Sequence, residues 1–284
     1  MTSDNPKNYR YDDHSRFPFK LVELKPVLST ETETAHRHNF FQLFFFTSNG
    51  GHHLIDFEES PCRENSVHVV NPGSIHKLTR EPSTRGFVIL FSRTFFDQNQ
   101  PNPNYFIYRN DFDKCVDMPA DRFAEIIKLI KNIQAENALK EAFSDKSIRN
   151  LIELIAIAVQ RYIPFEATPL ATKIDQVFDQ FMFQLSLNFS QEHSLSFYTD
   201  FLAISQEKLN KICQEKLNKT PSELIQERIL LEAKRLLFHS HLSIKEIAFA
   251  LGYEDPSYFN RLFKLKIEQT PASFRSNIRE KYYD

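Results

Sequence analysis

Two stretches fifty residues apart carry side chains suited to touching another polymer: QEKLNKICQEKLNKTP (residues 206–221) and PSYFNRLFKLKIEQTP (residues 256–271). In each, three apolar residues recur at i, i+3 and i+4: Leu209, Ile212 and Cys213 in the first, Phe259, Leu262 and Phe263 in the second. That spacing is one face of a helix. Burying it turns Gln206, Glu207, Lys208, Asn210, Lys211 and Gln214 outward in the first stretch. In the second it turns out Ser257, Tyr258, Asn260, Arg261 and Lys264. Gln, Asn and Arg can pair bidentately with base edges in the major groove of DNA. Lys and Ser suit phosphates, which position a protein without reading sequence. Glu207 can accept from cytosine N4, or merely repel phosphate. A plain helical bundle with a solvated face produces the same periodicity, so the flanking elements must decide.

Each stretch ends in Thr-Pro. Thr220 and Thr270 are good N-caps, and Pro221 and Pro271 suit a first helical position, where no N–H is missed. Glu223 completes a capping box with Thr220, and Ser243 and Glu246 form another. Ile244, Ile247, Ala248 and Leu251 make a core stripe ahead of the second stretch, and Gly252 lets the chain leave that helix in a left-handed conformation. Asp255 then caps the next helix and Pro256 opens it. Helix, tight turn, capped helix is the grammar of a helix-turn-helix. LSFYTDFLAISQEKL is an earlier copy, with Ser205 as cap and a turn one residue shorter. Between the units, PSELIQERILLEAKRLLFHS predicts a long connecting helix buried along Ile225, Ile229, Ala233, Leu236 and Leu237. A rigid spacer of this kind would let both outward faces enter successive major-groove segments about one turn, roughly 34 Å, apart.

The rest of the chain must carry these units. Its 284 residues suffice for two domains. From about Phe17 to Phe96, short runs such as FQLFFF, SVHVV and GFVILF alternate with turn chemistry (SNGG, SPCREN, NPGS), which predicts a barrel or sandwich. From Pro119 the period turns helical: Phe123, Ile126, Ile127 and Ile130, then Ile148, Leu151, Ile152, Ile155, Val159 and Tyr162. A polar break near residues 141–146 separates two helices. The segment 163–172, with two prolines and no periodicity, marks a domain boundary. The expected organisation is a barrel over 1–118, a helical region over 119–163 with room for a dimer contact, a linker over 164–172 and an all-α DNA-binding domain over 173–284. The fold class is therefore α+β in two domains.

Net charge is −2, so no global basic surplus points to nucleic acid. The region from Leu170 onward is itself nearly neutral, which predicts few phosphate contacts and a modest salt dependence. Three scattered cysteines without a C-x-x-C pair fit a reducing compartment rather than a disulfide framework. The polar N-terminus is no signal peptide, and no apolar run approaches the ~20 residues that span a bilayer. A cytoplasmic location and no membrane partner are expected. There is no G-x-S-x-G, P-loop or G-x-G-x-x-G.

The run RILLEAKRLLFHSHLSIKEIAFALGYEDPSYFNRLFKLKIEQTPASFR closely resembles the signature of the AraC/XylS family of bacterial transcription regulators. The resemblance rests on Ala233, Leu236, Leu237, Ile247, Ala248, Gly252, Tyr253, Tyr258, Phe259, Phe263, Lys264, Thr270, Pro271 and Arg275. With the upstream copy it spans roughly Lys173 to Arg279. It implies a bipartite reader of double-stranded DNA whose base-touching positions fall on Glu207, Asn210 and Lys211, and on Ser257, Tyr258 and Arg261. The family usually has Gly before the x-Thr-Pro turn, where Asn218 and Glu268 stand here. Asn tolerates positive φ and Glu does so poorly, so the second turn is expected to be strained or differently shaped.

HRHNFFQLFFFTSNGG and VVNPGSIHKL resemble the two motifs of a cupin barrel, which many AraC-type regulators carry as a sensor, often without metal. By this resemblance His36, His38 and His76 match the cupin's metal-binding histidines, and Gln42 stands where a Glu is usual. As a neutral amide Gln42 lacks a charge that helps hold a divalent ion. These four residues are therefore expected to line an effector site, with no metal, no cofactor and no catalysis. The alternative is a cupin metalloenzyme, with three histidines on Fe, Mn or Zn and a helical interaction module. His52, His53 and His68 add nothing at ligand spacing and are expected to be surface or strand residues. The phenylalanines at 40, 41 and 44–46 are expected in the core. Partners follow: DNA, a possible small effector, a second copy of the chain, and RNA polymerase if the protein is an activator.

Overall fold

The computed structural model describes residues 8–9, 19–92, 115–162 and 173–283. The chain divides into two compact units, one within 6–165 and the other within 166–284. The proline-containing segment 163–172 lies outside the described residues.

The first unit opens with strands β1 (Asn8–Tyr9), β2 (Phe19–Leu24), β3 (Glu31–Thr32), β4 (His36–His38) and β5 (Phe41–Phe46). Strands β6 (His52–Ile55), β7 (Glu58–Pro61), β8 (Ser66–Val70), β9 (Ile75–Arg80), β10 (Gly86–Phe91) and β11 (Cys115–Asp117) follow. They form two sheets, one ordered β1-β4-β9-β6-β7 with β3 also on β9, the other β11-β8-β5-β10-β2. Leu24, Phe44, Phe46, Val70 and Val88 from one sheet pack with Ile55 and Leu78 from the other. The expected barrel is thus a two-sheet sandwich of jelly-roll kind rather than a single closed ring.

Strand β5 shows why FQLFFF is so apolar. It lies between β8 and β10, and Phe41, Leu43, Phe44, Phe45 and Phe46 are all buried, so both of its faces are covered. A strand buried on two sides reads as a continuous apolar run rather than an alternation. Because successive side chains alternate, Gln42, Phe44 and Phe46 share the face toward the other sheet, where the core forms.

Two helices complete this unit, α1 (Ala120–Leu139) and α2 (Ser144–Gln160). Phe123, Ile126, Ile130 and Ile133 are buried on α1, and Ile148, Ile152, Ile155 and Val159 on α2. The polar break is a tight turn in which Lys140 and Phe143 adopt left-handed backbone and the Ser144 hydroxyl donates to Glu136 at 2.8 Å.

The second unit is helical: α3 (Lys173–Asn188), α4 (Leu195–Leu202), α5 (Gln206–Leu217), α6 (Pro221–His239), α7 (Ile244–Ala250), α8 (Pro256–Ile267) and α9 (Pro271–Tyr283). Its core is one cluster. Phe178, Phe181 and Leu185 of α3 meet Tyr198, the apolar triplet of α5, the inner stripe of α6, Ile247 and Ala248, and Phe259 and Phe263. Among the described residues no helix is long and apolar enough to cross a membrane.

Candidate nucleic-acid interface and sensor pocket

The caps that start α5 and α8 are formed as the residue types require. Ser205 Oγ accepts from the Lys208 N–H at 3.2 Å, and Asp255 Oδ1 from the Ser257 N–H at 2.8 Å. Thr220 and Glu223 close a reciprocal capping box on α6, as do Ser243 and Glu246 on α7. Accepting those N–H bonds holds the Glu223 and Glu246 carboxyls below their usual range. Thr270 Oγ1 accepts from the Ser273 N–H at 3.2 Å at the head of α9.

The turns between paired helices differ by one residue. Ala203 takes the left-handed conformation (φ 52°) three residues before α5, and Gly252 (φ 82°) four residues before α8. At Gly252 a Cβ would fall 2.4 Å from the Ser190 carbonyl oxygen, so that position demands glycine for space as well as for φ. Asn218 and Glu268 both end their helices in left-handed backbone, at φ 53° and 62°, and donate their N–H to Gln214 O and Lys264 O. The second turn therefore keeps the shape of the first; Glu268 adopts it rather than reshaping it.

These caps and turns set which side of each helix is bare. Leu209, Ile212, Cys213, Phe259 and Phe263 are buried and Leu262 is half-buried, while Gln206, Glu207, Lys211 and Gln214 are exposed and Asn210 is half-exposed. On α8, Ser257, Tyr258, Asn260, Arg261 and Lys264 are all exposed. Local pairing trims what they offer. Asn260 Nδ2 donates back to Pro256 O at 2.9 Å, Arg261 lies 3.7 Å from Asp255 and Lys211 lies 3.9 Å from Glu215. Both ion pairs are solvent-exposed and weak enough to exchange for a phosphate or base.

In the sandwich, a cavity of about 510 Å³ opens beside β4, β5 and β9. Val22, Leu24, Phe44, Leu78, Val88 and Leu90 give it apolar walls, and Lys25, Glu31, Glu33 and Arg80 a charged rim. His36, Gln42 and His76 line it; His38 does not, its ring being stacked on Phe40 at 4.1 Å between centroids. Gln42 Oε1, His38 Nε2 and His76 Nε2 are buried without a hydrogen-bond partner. The ligating atoms of Glu33, His36 and His76 lie within 4.8 Å of one another.

Behind His76 stands a chain of side chains missed in the sequence. His53 Nε2 is 3.1 Å from His76 Nδ1, His53 Nδ1 is 3.2 Å from His68 Nδ1, and His68 Nε2 is 3.4 Å from Ser66 Oγ. His53 and His68 are strand residues, as expected, but they are buried between the sheets; only His52 is exposed. Their period gave a signal: His53 shares a face with core residue Ile55, and His68 with Val70. Burial pushes His38 and His68 down to about 4, and His53 and His76 well below the usual imidazole range. The rings are neutral at physiological pH.

The chain is similar to several known proteins. Residues 198–277, which hold both helix pairs, match the family model described as a helix-turn-helix domain. The uncharacterized helix-turn-helix-type transcriptional regulator YfiF of Bacillus subtilis is 24% identical over 249 residues, covering 85% of this chain and 78% of YfiF. The raffinose operon regulatory protein RafR of Pediococcus pentosaceus is 26% identical over 156 residues, 55% of each chain. Among solved structures, ToxT of Vibrio cholerae aligns over 91% of this chain and 97% of its own at 13% identity and a TM-score of 0.42. Residues 198–277 thus carry a helix-turn-helix domain, and the chain is similar to transcription regulators that are built on one. The duplicated unit and the regulators it is similar to accord with the resemblance to the AraC/XylS family.

Proposed function

We propose that α5 and α8 are the two recognition helices of a sequence-specific DNA reader whose activity answers to a small effector in the sandwich cavity. The observation that carries the reading is duplication: two helices with the same inward apolar triplet, side-chain N-caps and left-handed exits each leave a polar face bare. Gln206, Asn210, Gln214, Asn260 and Arg261 offer base-edge chemistry; Lys211, Ser257 and Lys264 offer phosphate contacts. Glu207 and Tyr258 complete the two faces. With its rear amide hydrogen spent on Pro256 O, Asn260 favours contacts through its oxygen and remaining hydrogen.

The test is selection of bound duplexes from a random library, with wild type against the double variant Lys211→Ala/Arg261→Ala. Two enriched boxes about one helical turn apart, roughly 34 Å, lost in the variant, are the expected result. Absence of enrichment at low salt, with and without cell extract to supply an effector, overturns it.

For the cavity, apolar walls with a charged rim and a few polar groups are the ordinary make-up of a small-molecule site. His36, Gln42 and His76 are its polar end, with His38 behind them. A thermal-shift screen against sugars, aromatics and fatty acids tests this, and uniform silence counts against it. The α1–α2 hairpin is proposed as the dimer contact, and RNA polymerase as a partner if the protein activates. Ordering the domains as a sensor, hairpin, linker and DNA-binding module belongs to the same proposal.

A further inference from the structure

The cavity's inner end holds more imidazole than an apolar ligand needs, and the surrounding hydrogen bonds fix the proton on each ring. His36 Nδ1 lies 2.9 Å from Thr34 O, and a carbonyl only accepts, so this nitrogen carries the hydrogen and Nε2 the lone pair. His76 is reached through the buried chain. The Ser66 hydroxyl spends its one hydrogen on Arg63 O at 2.7 Å, so toward His68 Nε2 it can only accept. His68 Nδ1 is then the acceptor for His53 Nδ1–H, and His53 Nε2 the acceptor for His76 Nδ1–H. His76 is left with its Nε2 lone pair at the cavity, buried and unpartnered.

We infer that Glu33, His36 and His76 bind a divalent transition-metal ion, with zinc the best match, and that His53, His68 and Ser66 orient His76 for it. Two imidazole lone pairs and one carboxylate are a zinc donor set that keeps a fourth position open, here toward the cavity. A ligating histidine characteristically donates its other N–H to a fixed partner, as His36 and His76 both do. Zinc holds its ligands at about 2.0–2.2 Å, so the three groups must draw inward from their present separations, a movement open to the exposed Glu33 side chain. The set differs from the one the motif resemblance supplies. Glu33, on the segment between β3 and β4, brings the charge that Gln42 lacks, and His38 is not a member. This departs from the metal-free expectation, and it depends neither on DNA binding nor on an organic effector.

The experiment uses untagged full-length protein, stripped with chelator and desalted, titrated with Co²⁺ alone and then with Zn²⁺ against a chromophoric chelator. One ion per chain, tetrahedral or five-coordinate visible bands for Co²⁺ and their loss on adding Zn²⁺ are expected. Glu33→Gln and His36→Ala should each weaken Zn²⁺ at least tenfold. His53→Gln should weaken it by about 10- to 100-fold, as loss of an orienting partner does. His52→Ala should change nothing, and circular dichroism establishes that each variant is folded. No bands and no zinc retention by the wild type overturn the site, as does unchanged affinity in folded Glu33→Gln and His36→Ala.

Discussion

Glu268 occupies a conformation its side chain opposes. Left-handed backbone costs a non-glycine residue roughly 1–2 kcal/mol, whereas glycine costs about 0.5–1 kcal/mol of chain entropy. Glu268→Gly is therefore expected to stabilise the helical unit by about 0.5–1 kcal/mol in a urea titration, since its N–H to Lys264 O survives. Gly252 is the opposite case. Gly252→Ala sets a Cβ against the Ser190 carbonyl at φ 82°, and a fall in Tm of several degrees is the expected reading. The buried imidazoles set the pH behaviour of the sandwich. Their folded pKa values lie below the unfolded value near 6.5, so the unfolded chain binds more protons as pH falls. Stability is complete above about pH 6.5 and is lost on descending toward about 4. Near pH 5 the loss is about 2 kcal/mol for each of His38 and His68. Equal urea midpoints for the metal-free protein at pH 5 and pH 7 would contradict this.

At the scale of elements, the helix pairs stand on their caps. Losing a side-chain cap costs typically about 1 kcal/mol. Ser205→Ala and Ser243→Ala should each lower stability by that amount, read from chemical denaturation. The capping box at Thr220 and Glu223 starts α6, the connection between the two helix pairs. Elements were legible where their local grammar is self-contained. Thr-Pro, Ser-x-x-Glu and Asp-Pro announced the starts of α6, α7, α8 and α9, and the i, i+3, i+4 triplets announced the buried faces of α5 and α8. Strand pairing was not legible to the same degree. The β6–β7 hairpin turns at Asp56-Phe57, both at positive φ, without the Asn-Gly or Gly-Gly that signals such a turn. Buried Asp56 instead accepts from Ser74 Oγ and the Ile75 N–H, nearly twenty residues on, a long-range bond no local pattern reports.

At the scale of the whole molecule, a two-fold dimer would double the DNA footprint and let an effector change the spacing of the DNA-binding halves. The α1–α2 hairpin leaves Leu139, Phe143 and Leu154 exposed, apolar area a dimer would cover. Sedimentation at micromolar concentration should show a dimer that Leu154→Glu converts to monomer. A wild-type protein that is monomeric throughout rules the hairpin contact out.

The helix-turn-helix reading needed little beyond the chain itself. Caps, turn residues and apolar triplets act over four or five residues, and their duplication fifty residues on made chance an unattractive account. The polar faces of α5 and α8 followed at once, because a helix that buries one stripe must bare the other. The cavity's chemistry was decided only by tertiary structure. His53, His68 and His76 lie on three strands in two sheets, and Glu33 lies outside the motif that singled out His36 and Gln42. Strand order and register bring them together through non-local hydrogen bonds, so their meeting has no signature in spacing along the chain.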